Sequence, residues 1–295
     1  MDLDLAQLRA LSVAVAEGTF EAAARALHVT PSAISQRLRA LEVATGRVLL
    51  VRSKPVQVTE SGEVVLRLAR QIDLLAHDAI AELGGDGPAD RTVQTLPIAV
   101  NADSLGTWVL PALAPLAGDL CFDIHREDED HTGALLRSGT VVAAVTTEAD
   151  PVAGCSVTRL GTMRYRPMAA PSFAGRWFAD GPLGRTLSRA PVVVFDRKDD
   201  LQHRYLRDHA LDAQPPRHYV PSTADFLTAV RAGMGWGMLP DLLSRGHEAR
   251  GELVDLDPAG ALDVALHWQQ WKLRSPSLDR VAAAVTTAAR AHLAP

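Results

Sequence analysis

GTFEAAARALHVTPSAISQRLRALE, residues 18 to 42, decides how the rest of the chain is read. Thr19 stands before Ala and Leu at helical spacing, and its hydroxyl can accept from the free amides of a first helical turn. The pattern breaks at His28-Val29-Thr30. Thr30-Pro31 then opens a second helix, where a proline at the first position gives up no hydrogen bond. Two short helices around a tight turn form a helix-turn-helix. Ala22, Ala23, Ala26, Leu27, Val29, Ile34, Leu38 and Leu41 are expected on its buried side. The polar side carries Thr30, Pro31, Ser32, Ser35 and Gln36, with Arg37 and Arg39 further along. Short donors and acceptors at the start of such a helix suit base edges and phosphates of double-stranded DNA. An ordinary helical hairpin with a solvated polar face has the same spacing, so the local pattern leaves both readings open.

The flanks favour DNA. Leu5, Leu8, Leu11 and Val15 predict a first helix of about 13 residues packed behind the motif. After Glu42, the runs 47–52 and 56–59 enclose Ser53-Lys54-Pro55 and read as a β-hairpin. A hairpin after a recognition helix is a wing, with Arg52 and Lys54 set to reach the sugar-phosphate backbone. From Ser61 to Leu83, a stripe of Val65, Leu68, Ile72, Leu75, Ala79 and Leu83 near heptad spacing predicts a long helix. It pairs either with the same helix of a second subunit or with its own chain. GGDGPAD, residues 84–90, is a linker.

With 295 residues the chain has room for two or three domains. An apolar fraction of 47% and a charged fraction of 22% are those of a soluble globular protein. No apolar run reaches the ~18 residues of a membrane span. The start, with Asp2 and Asp4, is unlike a basic secretory signal, so a cytoplasmic protein is expected. A net charge of -5 argues against nucleic acid only if charge is uniform. Here residues 37–54 are basic and the remainder acidic, which suits a small DNA-binding end on a larger domain. Cys121 and Cys155 are too few for a disulfide framework or a Cys-rich zinc site, and both are expected to be buried thiols.

Beyond residue 92 strands and helices alternate. Strands are expected at 93–100, 120–125, 141–146, 191–195, 236–239 and 264–268. Helices are expected at 104–116, 131–138, 201–209, 224–232, 240–245 and 277–292. Such alternation predicts parallel α/β sheets, with ligands at the carboxyl ends of strands and a cleft between two hinged sheets.

At these residues the chain resembles the LysR-type transcriptional regulators. TFEAAARALHVTPSAISQRLRALE is similar to the family's winged helix-turn-helix, VLLVRSKPVQVTESGE to its wing, and RAGMGWGMLP to a Gly-rich strand entry of its effector domain. NADSLGTWVLPALAP, EDED, VVAAV, PVVVFDRKDD and PSTADF are similar to the ArgP/LysG branch, which senses lysine or arginine and activates export genes. The resemblance implies an α/β effector domain of two Rossmann-like lobes, periplasmic-binding-protein-like, preceded by an α-helical winged helix-turn-helix domain and a long linker helix. It implies boundaries at 1–60, 61–86 and 92–295, with lobe I at about 92–161 plus 264–295 and lobe II at about 162–263. It also implies promoter DNA and RNA polymerase as partners, and dimers that pair into tetramers. Two departures stand out. Val142 occupies a position where an acidic residue is common in the family, a departure that the ArgP branch shares, and PSTADF replaces a run richer in Asn, Ser and Glu, with Asp225 in place of the Glu.

A basic amino acid presents one carboxylate and two cations. Asn101-Ala102-Asp103-Ser104 lies where a strand gives way to a helix, so its amides and the Ser104 hydroxyl suit the α-carboxylate and Asp103 the α-ammonium. Glu127, Asp128, Asp196 and Asp225 are candidates for the distal cation, and Thr146 and Thr147 for further hydrogen bonds. Acidic residues at helix starts also serve as caps, which gives each a purely structural alternative. Trp108 reads as core. No cofactor is implied beyond the effector, L-lysine or L-arginine. GxSxG, HExxH, P-loop and paired CxxC motifs are lacking, the ten His are scattered, and Gly233–Gly237 precedes a strand instead of following one, so catalysis is not expected. Two other functions fit the same residues: an architectural or origin-binding protein that inhibits replication initiation, and a family member with another small-molecule effector.

Overall fold

The computed structural model describes residues 3–51, 53–83, 93–126, 129–179, 183–209 and 214–295. Three helices open the chain: α1 (Leu5–Ala16), α2 (Phe20–Ala26) and α3 (Pro31–Thr45). Each begins at a side-chain cap: Asp4 accepts from the Gln7 amide, Thr19 from Ala22 and Thr30 from Ala33. The turn between α2 and α3 places His28 at φ 52°, in the left-handed region that a side chain rarely adopts. Gly46 ends α3 at φ 64°. The strands β1 (Leu50–Val51) and β2 (Gln57–Val58) pair antiparallel as the wing, and the Val56 amide donates to the Gly18 carbonyl at 2.8 Å.

The helix-turn-helix core contains Leu8, Leu11, Ala23, Ile34, Leu38 and Leu41, closed by Leu49 from the wing. Ala24 is buried where the repeat pointed to Ala22 and Ala26; Ala22 is half-buried and Ala26 exposed. In a seven-residue helix, one position of phase decides which alanine faces inward.

Helix α4 (Glu60–Glu82) begins at Thr59, whose hydroxyl accepts from the Gly62 amide and donates to the Val48 carbonyl. It buries different faces at its two ends. Leu66 and Ala69 join the core of the N-terminal domain, whereas Leu74 joins the core of the following domain. Arg70 donates to the Gly139 and Thr140 carbonyls, Arg67 donates to the Ala153 carbonyl, and Asp78 is buried against the Ser275 and Ser277 hydroxyls. The heptad stripe is divided: Val65 and Ile72 pack against the core of the N-terminal domain, whereas Leu68, Leu75, Ala79 and Leu83 are exposed. Packing on its own chain therefore uses part of the stripe and leaves Leu68, Leu75, Ala79 and Leu83 uncovered.

The larger part starts with β3 (Gln94–Val100). A helical run follows: α5 (Ala102–Ser104), a π turn (Leu105–Val109), α6 (Leu110–Leu113) and a 3-10 turn (Ala114–Leu116). Then come β4 (Leu120–Arg126), α7 (Glu129–Ser138), β5 (Ala143–Thr146), the long β6 (Cys155–Ala169), α8 (Pro171–Trp177), α9 (Leu183–Leu187) and β7 (Val192–Val194). They are followed by α10 (Leu201–Asp208), β8 (Arg217–Tyr219), α11 (Thr223–Arg231), β9 (Gly237–Pro240), α12 (Asp241–Ala249), β10 (Val254–Asp255), β11 (Leu262–Trp271) and α13 (Pro276–His292). β3 pairs parallel with β4 and β5, and β7 parallel with β8.

All-parallel sheets were the expectation, and the sheets are mixed. β6 and β11 run antiparallel to each other over ten residue pairs, and β11 also pairs antiparallel with β5. On its other half, β6 pairs antiparallel with β9 and β10. One long strand thus belongs to both lobes. Its residues 155–169 alternate polar and apolar side chains too irregularly to read as one strand. Cys155 is buried, but Cys121 is exposed on β4, which ends the strand order.

Gly235 explains the Gly-rich entry to β9. A Cβ there would stand 2.8 Å from the Pro191 carbonyl oxygen, so only glycine allows β7 and β9 to approach.

Candidate functional site: an exposed polar helix and an acidic interlobe cleft

Helix α3 presents Ser32, Ser35, Gln36 and Arg39 on one face, at the i, i+3, i+4, i+7 spacing of a helix. Thr30, Pro31, Ser32, Gln36 and Arg39 are exposed, and Ser35 and Arg37 half-buried. The Thr30 hydroxyl hydrogen-bonds Ser32 at 2.9 Å, which orders the helix start. Arg37 lies roughly 140° around the helix from Ser32 by the 3.6-residue turn, off the common face. Lys54 is exposed at the wing tip, where the Lys54–Pro55 peptide is cis and the Ser53 hydroxyl donates to the Pro55 carbonyl at 2.6 Å. Arg52 lies outside the described residues.

A cavity of about 370 Å³ opens between the lobes. Lobe I supplies Asn101, Ala102 and Asp103 from the end of β3 and the start of α5. The shared strand β6 supplies Tyr165. The segment from Phe195 to Arg204 and Thr223 come from the other side. Asp103 is the centre of this arrangement: its carboxylate accepts from the Tyr165 hydroxyl at 2.8 Å and from the Thr223 hydroxyl at 3.4 Å. Burial pushes the Asp103 carboxyl up to about 6, against the pull of the Tyr165 hydrogen bond and with Asp199 adding to the rise. Burial also raises Asp199, while the Phe195 and Leu201 amides, which donate to it at 2.9 and 3.0 Å, hold it back.

Of the residues singled out in the sequence, Asn101, Asp103 and Asp196 line this cavity together. Asp196 also accepts from the Lys198 and Asp199 amides, so it doubles as the turn-former of its loop. Ser104 is fully buried and behind the lining; its hydroxyl oxygen has no partner among the described residues. Thr146 and Thr147 are also outside the lining, and the Thr146 hydroxyl accepts from the Glu148 amide instead. Asp225 is exposed on α11, because the cap at Ser222 turns Thr223, two residues earlier, toward the cleft. Glu127 and Asp128 lie outside the described residues. Trp108 is buried in the core.

Sequence reasoning missed Tyr165, Asp199, Gln202, Arg204 and Thr223. PVVVFDRKDD did signal a crowded acidic loop after a strand, but not which of its aspartates turn inward. Two buried oxygens facing this region lack a donor among the described residues: Asn101 Oδ1 and Gln202 Oε1. The cavity thus holds four carboxylates and a surplus of acceptors, against Lys198 and Arg204. It is built to receive a ligand rich in N–H donors.

Comparison with known proteins fits both halves. The lysR-family description of a bacterial regulatory helix-turn-helix protein matches residues 5–63, and that of a LysR substrate binding domain matches residues 89–290. The lysine export transcriptional regulatory protein LysG of Corynebacterium glutamicum is 43% identical over 295 residues, covering 98% of this chain and 99% of its own. The HTH-type transcriptional regulator LysG of Mycobacterium tuberculosis is 46% identical over 288 residues, covering 97% and 94%. Among solved structures, ArgP from Mycobacterium tuberculosis is similar with a TM-score of 0.86 at 44% identity, covering 99% of each chain. Full-length LysG from Corynebacterium glutamicum with bound effector Arg gives 0.77 at 41% identity, covering 99% of this chain and 100% of the other.

Proposed function

The chain belongs to the LysR family of bacterial transcriptional regulators, and from that premise we propose that its effector is a basic amino acid, L-lysine or L-arginine, bound in the interlobe cleft. It is a DNA-binding regulator. One observation carries the choice of effector: Asp103, a desolvated carboxylate held by Tyr165 and Thr223, sits among acceptors that lack donors. A cationic ligand supplies both the charge and the N–H groups that this cluster lacks. The relatives named for lysine export, and the LysG structure with bound Arg, support the same chemistry.

In this reading residues 1–60 bind DNA, 61–86 form the linker and 92–295 hold the effector, with the lobes joined through β6 and β11. The exposed part of the α4 stripe, Leu68, Leu75, Ala79 and Leu83, pairs with the same helix of a second subunit, and such dimers assemble into tetramers. Ser32, Ser35, Gln36 and Arg39 read the major groove of promoter DNA, while Lys54 and Arg52 hold the flanking phosphates. Arg37, off that face, contributes charge. Effector binding draws the lobes together across the Asp103–Thr223 contact, and the clamp of Arg67, Arg70 and Asp78 carries the movement to α4. That displacement changes the spacing of the paired DNA-binding ends and hence access of RNA polymerase.

Thermal unfolding of the full-length protein tests the effector. Lysine or arginine at about 100 times its dissociation constant stabilises the folded state by about 2.7 kcal/mol, and histidine or an uncharged amino acid at equal concentration does not. A midpoint that ignores all four amino acids would refute the basic amino-acid reading.

A further inference from the structure

The cleft is acidic, yet an amino acid also brings a carboxylate, and something must receive it. Ser104 does not line the cavity. The four lining carboxylates are each engaged: Asp103 by Tyr165 and Thr223, Asp196 and Asp199 by backbone amides, and Asp200 by Arg207 at 2.7 Å. Lys198 has interactions of its own. Arg204 differs. It lies on α10, lines the cavity and is half-buried, and its guanidinium has no hydrogen bond or ion pair among the described residues. On the same helix Gln202 is only 4% exposed, and its Oε1 also lacks a donor. The lining aspartates are turned to other donors, and none of the Arg204 nitrogens is among the buried atoms that lack a partner, so the guanidinium is open to the cavity. Its planar fork matches a carboxylate with two parallel hydrogen bonds.

We propose that Arg204 is the anion receptor of the cleft, taking the α-carboxylate of the effector while Asp103 and the unpartnered oxygens of Asn101 and Gln202 take its N–H groups. The inference rests on the basic amino-acid reading and deepens it: the ligand is recognised as a whole amino acid, and a diamine or an amidated analogue is rejected. Because Arg204 stands on one lobe and Asp103 on the other, a ligand gripped at both ends ties the lobes together.

The test is calorimetric titration of the full-length protein and its Arg204→Met and Arg204→Lys variants with L-lysine and L-lysinamide. Lysinamide lacks the carboxylate and, in buffer below the α-amino pKa of about 7.7, keeps both cations. The wild type is expected to bind lysine roughly 30-fold more tightly than lysinamide, the scale of one charge-assisted interaction. Arg204→Met should lose that preference by weakening lysine alone, leaving lysinamide within about twofold. Arg204→Lys should keep part of the preference, since it retains the charge without the fork. Ligand-free melting of each variant checks the fold, and if the methionine variant does not fold, the lysine variant alone decides. A variant that binds lysine and still rejects lysinamide as the wild type does overturns the assignment of Arg204 and leaves the effector class standing. A wild type that binds neither compound overturns both.

Discussion

The helix caps of the DNA-binding end and the hydrogen bonds of Asp103 in the cleft are polar contacts of very different reach. At the DNA-binding end the capping bonds close over three residues: Asp4, Thr19, Thr30 and Thr59 each accept from the amide three positions on. In the cleft, Tyr165 reaches Asp103 across 62 positions and Thr223 reaches it across 120. Short-range contacts form with their own helix and survive changes elsewhere. Long-range ones exist only when both lobes and the strand between them are in place.

The largest expected effect probes where this separation fails. Gly62 is in the first turn of α4, and a Cβ there would stand 2.0 Å from the Leu49 carbonyl oxygen, a non-local backbone contact inside the DNA-binding end. Gly62→Ala should cost about 3 kcal/mol through overpacking, read as a lower denaturation midpoint of the full chain. Unchanged stability would show that the wing can yield to α4.

Asp103→Asn should weaken lysine or arginine binding by roughly 100-fold, since a buried ion pair loses one partner. Calorimetry reads that loss, and mobility shifts on promoter DNA without effector should be unaltered. Loss of both would mean that the cleft and the DNA-binding end are one cooperative unit.

The pH dependence follows from the same group. A cationic ligand needs the ionised carboxylate, and Asp103 is raised to about 6. Affinity is therefore full above that pH and falls below it, by at most about tenfold per pH unit for one proton. Without ligand the sign reverses. A folded state that holds the Asp103 proton more tightly than the unfolded chain loses stability as pH rises from the ordinary aspartate range, about 4, to about 6. The ligand-free melting curve of Asp103→Asn should lack that slope.

The smallest effect is local. Thr30→Ala removes one cap from α3 and should cost about 1 kcal/mol of stability. It should weaken DNA binding and leave lysine affinity unchanged.

The legibility of the two regions follows their contact range. Thr19, Thr30 and Pro31 announced the helix starts, and α2, α3 and the wing lie where those signals put them. The order of elements beyond residue 92 was also readable, because apolar runs and their breaks are local. β6 was not, since its side chains meet different neighbours along its length and show no single period. Asn101 and Asp103 were singled out because they stand at a strand-to-helix transition, and both line the cavity. Arg204 and Gln202 carry no such mark: on a short polar helix they read as surface.

The sequence by itself determined the helix-turn-helix, the wing, the long helix and the alternating α/β order, because caps, glycines and apolar spacing act within a few residues. Only the tertiary structure decided that β6 crosses both lobes, that α4 buries one face on each domain, and that Thr223 turns inward while Asp225 faces solvent. Those outcomes depend on which surfaces meet after the chain has folded, and on the cost of leaving a desolvated charge without its partner.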